Sequence, residues 1–119
     1  MSITVNAALL KSQFSDSNIA TISAEVVLDG GINMLNVFEA GIPNLTGAAE
    51  SKTGTYTSAQ TGAIMAMAQQ IYQKHFKNAS GANAQVASLG VTYSNDTQLL
   101  SFARTLAFEL KRVRRFSRA

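Results

Sequence analysis

The apolar residues near the end of the chain recur at the spacing of an amphipathic helix. They follow one another at steps of four, three, four and three, and they are Leu99, Ala103, Leu106, Leu110 and Val113. These steps mark one face of a helix with 3.6 residues per turn. Asn95-Asp96-Thr97 supplies capping residues just before the stripe. The pattern predicts a helix from about Asp96 to Arg114, with Phe102 and Phe108 beside the stripe.

A second stripe predicts a helix from about Ser58 to Lys77, which Thr57 and Ser58 begin. Its apolar and aromatic positions are again three and four residues apart: Ile64, Met67, Ala68, Ile71, Tyr72, His75 and Phe76. Nearer the start of the chain, Leu9, Leu10 and Phe14 predict a short helix from about Asn6 to Phe14.

The segment between these two helices is ambiguous because Gly30-Gly31 interrupts it. Ile19, Ile22 and Val26 follow the helical spacing, but each Gly costs about 1 kcal/mol of helix stability relative to Ala. Two Gly residues can lie inside a helix where another helix packs closely. We therefore favour one helix over residues 18–40, with two short helices as the alternative. Gly41 and Pro43 would end it.

Residues 42–56 have little periodicity and predict an exposed loop. Residues 86–94 contain Val, Thr and Tyr, with Val91 and Tyr93 on one face, and predict a hairpin or an extended segment. The predicted fold class is therefore mainly α: a small bundle of three main helices and a short N-terminal helix, with a short β-hairpin or extended segment before the last helix.

Charge is distributed unevenly along the chain. From Arg104 onward, six basic residues stand against the single acid Glu109, a net charge of +5, whereas the first 103 residues carry four Lys against six acids, a net −2. Such asymmetry indicates an acidic partner surface or a nucleic acid. Five of the six basic residues are Arg, which makes bidentate contacts to carboxylate and phosphate.

The sequence offers little catalytic chemistry. There is no Cys and one His, and His75 falls within an apolar stripe, where a structural role is the favoured interpretation. Glu25 and Asp29 share a helix face, but no third ligand suggests a metal site, so a solvated or interfacial pair is expected. We predict no enzyme activity, no cofactor and no bound metal. No signal peptide or membrane-spanning segment is predicted either.

The order of these elements resembles the head–tail connector proteins, or neck adaptors, of long-tailed phages. Five segments carry the resemblance: "ITVNAALLKSQFSDS", "NIATISAEVVLDGGINMLNVFEAG", "TYTSAQTGAIMAMAQQIYQKHF", "ASLGVTYS" and "NDTQLLSFARTLAFELKRVR". They match the family in their order, their length and their general residue types, and they contain no specific sequence motif. The Gly-Gly pair and the basic tail after Val113 depart from the family pattern.

The resemblance implies a helical domain over residues 1–110 and a basic C-terminal arm over residues 111–119. It implies a ring, commonly of twelve copies, beneath the capsid portal in the virion neck, with assembly in the host cytoplasm. Partners would be the portal protein, tail or stopper proteins, and DNA passing through the channel without sequence-specific binding. The residues expected to bind the portal or phosphates are Lys111, Arg112, Arg114, Arg115, Phe116 and Arg118.

Contacts between neighbouring subunits are expected from the loop 42–56 and the segment 86–94. The candidate residues are Leu45, Tyr56, Val91 and Tyr93. The alternative function is a small helical DNA-binding protein that uses its basic C-terminal helix on phosphates. Steep weakening by salt would distinguish that activity.

Overall fold

The computed structural model describes residues 2–13, 20–76 and 96–117. Within them the chain is mainly helical, as predicted. The helices are α1 (Ala7–Gln13), α2 (Thr21–Val37), α3 (Ser58–Ile71, continued by a π-helical turn at Tyr72–Phe76) and α4 (Thr97–Ser117). Two strands, β1 (Ser2–Asn6) and β2 (Thr53–Thr57), accompany them.

Helix α2 passes through Gly30 and Gly31 without a break, so the prediction of one helix is correct. Gly31 lies against α3: a Cβ atom built at this position would lie 3.0 Å from the Met67 Cβ and 3.3 Å from the Ala68 backbone nitrogen. The missing side chain lets the two helices approach each other. The helix ends earlier than predicted, at Val37, and Glu39 follows in the left-handed conformation (φ 61°).

The hydrophobic core lies between α2, α3 and α4, with α1 and the two strands closing one side. Its largest side chains with almost no solvent exposure come from four of these elements: Val5, Leu10, Val27, Leu28, Ile32, Leu35, Ile64, Met67 and Ile71. Helix α4 adds three small or medium residues: Leu99, Ala103 and Ala107. Six residues of the predicted stripes are among them: Leu10, Ile64, Met67, Ile71, Leu99 and Ala103. The stripe that predicted α2 does not mark its buried face, because Ile22 is 40% exposed and Val26 is half-buried.

Side-chain caps fix where the helices begin. The Asn6 Oδ1 accepts a hydrogen bond from the Leu9 backbone N–H at 3.0 Å. At α3, Thr57 and Gln60 form a capping box, in which each side chain accepts from the other residue's backbone N–H. The Asp96 carboxylate accepts from the backbone N–H groups of Gln98 and Leu99 at 3.0 and 3.2 Å. The predicted starts of α3 and α4 are thus confirmed.

The sheet is the main departure from the sequence prediction. Strands β1 and β2 pair antiparallel, with Ile3 opposite Tyr56 and Val5 opposite Gly54. No strand is predicted for residues 2–6, and residues 53–56 fall in the predicted loop 42–56, so both strands correct the prediction. The predicted hairpin at 86–94 lies outside the described residues.

Candidate interaction surface

Helix α4 has two faces of different chemistry. Leu99, Ala103 and Ala107 are buried, and the partly buried side chains beside them pack against the core: Leu100, Phe102, Leu106 and Leu110. The opposite face is exposed. Leu110 is the last residue of α4 that packs against the core within the described side chains, whereas the helix backbone continues to Ser117.

The exposed face of α4 contains a shallow groove with a volume of about 330 Å³. It is lined by Ser101, Arg104, Thr105, Phe108 and Glu109. Phe108 is 66% exposed, which is unusual for so large an apolar side chain. Arg104 and Phe108 are separated by one helical turn and therefore lie side by side. We call these five residues the α4 groove.

The described part of the basic arm adjoins the α4 groove. Lys111 is half-buried and Arg112 is exposed. Arg112 lies 4.0 Å from the Glu109 carboxylate, a distance at which an exposed pair contributes little stability. Arg114, Arg115 and Phe116 follow within the same helix, so the arm begins as a continuation of α4. The side chains of these three residues, and the whole of Arg118, lie outside the described part of the structure.

Two of the predicted subunit contacts are buried inside a single chain. Leu45 is 6% exposed and Tyr56 is 3% exposed, and both belong to the core. The Tyr56 hydroxyl donates a hydrogen bond to the Pro43 carbonyl at 2.7 Å. These side chains therefore offer no open surface to a neighbour. The prediction that they lie in an exposed loop was wrong. Val91 and Tyr93 lie outside the described residues.

Glu25 and Asp29 hold the 45–52 segment on α2. The buried Glu25 carboxylate accepts hydrogen bonds from the backbone N–H groups of Glu50 and Lys52 at 2.7 and 2.9 Å. Asp29 accepts from the Leu45 backbone N–H at 3.3 Å and forms an ion pair with the Lys52 ammonium at 3.2 Å. The expectation of a solvated or interfacial pair was wrong: both carboxylates have partners within their own chain.

A second groove, with a volume of about 300 Å³, lies where α1, α2 and residues 50–53 meet. Lys11, Glu25 and Lys52 are among the residues that line it. The Lys11 ammonium donates to the Thr21 hydroxyl at 2.8 Å, and Glu25 and Lys52 have the partners described above. Lys11, Glu25 and Lys52 are therefore occupied by intramolecular contacts, whereas Glu50, which also lines the groove, takes part in no described ion pair.

Catalytic and metal-binding arrangements are sparse in the described residues. No group of three or more His, Asp or Glu side chains there could hold a metal ion. Burial raises the pKa of the Tyr56 phenol above its ordinary value of 10.0, and the Asp29 carboxylate raises it further. The side chain of His75 lies outside the description. None of the helices in the described ranges is long and apolar enough to cross a membrane.

Phe108 lies beside the predicted apolar stripe of α4 and is not among the predicted contact residues. The signal was present: the stripe of Leu99, Ala103, Leu106 and Leu110 defines the inner face, and Phe108 falls off it. Comparisons with protein-family models, curated proteins and solved structures found no match to this chain.

Proposed function

We propose that this chain is a structural virion protein, a head–tail connector that forms a ring between the capsid portal and the tail of a long-tailed phage. The ring, of twelve copies by the resemblance, leaves a channel for DNA. The protein acts by binding its neighbours and catalyses no reaction. The small helical bundle and the order of its helices support this proposal.

One observation carries the proposal furthest. Helix α4 continues from Leu110 to Ser117 as a strongly basic segment. This extension holds Lys111, Arg112, Arg114 and Arg115. A helix that packs on the core through Leu99 to Leu110 and carries basic residues in its last turns suits docking into an acidic groove of another protein. The portal is the partner that we assign to this arm.

The experiment compares the full chain with a chain that ends at Lys111. Each is mixed with DNA-filled, tailless capsids of the virus and examined by negative-stain imaging. We expect a ring of density at the portal vertex with the full chain and none with the truncated chain. The truncated chain should unfold at nearly the same temperature, because it keeps every described residue of the core. Normal attachment by the truncated chain would contradict the role of the arm.

A matched control separates charge from length. The variant with Arg112, Arg114, Arg115 and Arg118 replaced by Gln keeps the length of the arm and removes four of its five positive charges. We expect it to lose attachment as the truncation does. For the alternative function, binding of free duplex DNA is measured as salt is raised. Tight binding that weakens steeply with salt, without attachment to portals, would favour the DNA-binding protein instead.

A further inference from the structure

The exposed charges without an ion-pair partner are separated by sign. Outside α4, the exposed carboxylates of Glu39 and Glu50 take part in no described ion pair. On α4, Arg104 is exposed and likewise has no described ion-pair partner. The described surface thus offers acids on one part of the chain and a free guanidinium on another.

The exposed large apolar side chains show a related separation. Val37, the last residue of α2, is 63% exposed, and Phe108 on α4 is 66% exposed, whereas Ile22 near the start of α2 is less exposed, at 40%. Val37 lies two residues from Glu39, and Phe108 lies one helical turn from Arg104. Each place therefore combines one bare apolar side chain with one free charge, and the two charges are opposite.

The backbone at Glu39 has a φ of 61°, in the left-handed region, at the position after a helix where Gly or Asn is usual. Glu50 is also left-handed, with a φ of 69°, but no exposed large apolar side chain lies near it in the sequence among the described residues. A Glu residue in this conformation costs free energy that Gly would not. Side chains kept in such conformations at exposed positions are candidates for function. The Glu39 carboxylate has no described partner within the chain to account for that cost.

We propose that the α4 groove of one copy binds the Val37–Glu39 corner of a second copy. Val37 packs on Phe108, and the Glu39 carboxylate pairs with Arg104. The two surfaces differ, so the contact is head-to-tail and leaves each copy with one free surface of each kind. Such a contact closes into a ring when the rotation between copies allows it. This inference deepens the proposed ring assembly and rests on it, and it leaves the arm beyond Lys111 for the other partner.

Engineered thiols test the contact, because the chain has no Cys of its own. Asn33 lies one turn before Val37 on α2 and Thr105 lies next to Arg104 on α4, and both are exposed. The N33C and T105C variants keep Val37 and Phe108 and do not disturb the core. One of them carries a small tag, and the two are mixed at high concentration and treated with a short bifunctional maleimide. We expect the cross-linked N33C–T105C heterodimer to exceed both homodimers. A heterodimer yield no greater than that of the homodimers would overturn the proposal, and so would a predominant T105C homodimer.

Charge reversal provides the specificity control. Adding R104E to the T105C chain should lower the heterodimer yield by about twofold to fivefold, the range expected for an exposed ion pair. Adding E39K to the N33C partner should restore it. Unchanged yields in both cases would rule out the Glu39–Arg104 contact.

The outcomes separate this inference from the proposed function. If cross-linking fails but the full chain still gives density at the portal vertex, the contact is wrong and the connector function stands. If cross-linking succeeds and no density forms at the portal, the contact stands and the connector function is wrong.

Discussion

Gly31 of α2 lies against Met67 of α3 so closely that a Cβ atom at position 31 would lie 3.0 Å from the Met67 Cβ. Backbone atoms of α3 are nearly as close, since the Ile64 carbonyl oxygen would lie at 3.4 Å. Ordinary side chains at position 31 would therefore push the two central helices apart. The closeness of α2 and α3 depends on this one missing side chain.

Replacing Gly31 by Ala should destabilise the fold by about 1–3 kcal/mol, the usual cost of overpacking a core. Gly62 is the matched control, because it lies in α3 with no atom within 4 Å of a built Cβ. Gly62→Ala should stabilise the protein by about 0.5–1 kcal/mol through better helix propensity. Urea unfolding of both variants checks this prediction. An equal, favourable effect at the two positions would show that α2 and α3 are not closely packed at Gly31.

Helix positions could be predicted because their signals are local. The stripes of α3 and α4 and the caps at Thr57 and Asp96 lie within a few residues of the helices they define. The continuous α2 was a weaker inference, because its reason is the approach of α3 at Gly31. The Gly-Gly pair indicated that another helix must pack closely against α2. It did not indicate which helix that is.

The sheet and the 45–52 segment were missed because their causes are distant in sequence. Strand β1 alternates exposed Ser2 and Thr4 with the more buried Ile3 and Val5, a period-two signal that was available but short. Its partner β2 lies some fifty residues away and is rich in Thr. Likewise, Leu45 is buried in a segment whose backbone is held by Glu25 and Asp29. Glu25 and Asp29 are far from this segment in the sequence, so no local pattern predicted that they contact it.

Removing the charge of Glu25 should release the 45–52 segment. In Glu25→Gln only one side-chain oxygen can accept, so one of the two backbone N–H groups, at Glu50 or Lys52, loses its partner. We expect a loss of about 1.5–3 kcal/mol in unfolding free energy, with faster hydrogen exchange at that amide. Asp29→Asn is the control: its pair with Lys52 is partly exposed, so the loss should stay within about 1 kcal/mol. Equal losses in the two variants would show that Glu25 has no special role.

The Tyr56 phenol should make the fold sensitive to alkali. Its pKa is raised above 10.0 in the folded chain, so folding favours the neutral form. The stabilising contribution is complete below pH 10 and is lost as the pH rises through the folded-state pKa. Tyr56→Phe should cost about 1 kcal/mol at pH 7, because the hydrogen bond to Pro43 is removed. Between pH 9 and 11 its deficit relative to the parent should shrink. Thermal unfolding of both proteins across this range measures the difference, and a constant deficit would contradict the prediction.

The two faces of α4 should respond differently to truncation. Leu99→Ala removes a side chain that is 3% exposed and should cost about 2–5 kcal/mol in unfolding free energy. Phe108→Ala removes a larger side chain that is 66% exposed, so the change should stay within about 0.5 kcal/mol. Urea unfolding of dilute protein, where copies are separate, measures both. A loss above 1 kcal/mol for Phe108→Ala under these conditions would mean that Phe108 packs within its own chain. A small loss would leave its exposed ring free for a contact that forms only between copies.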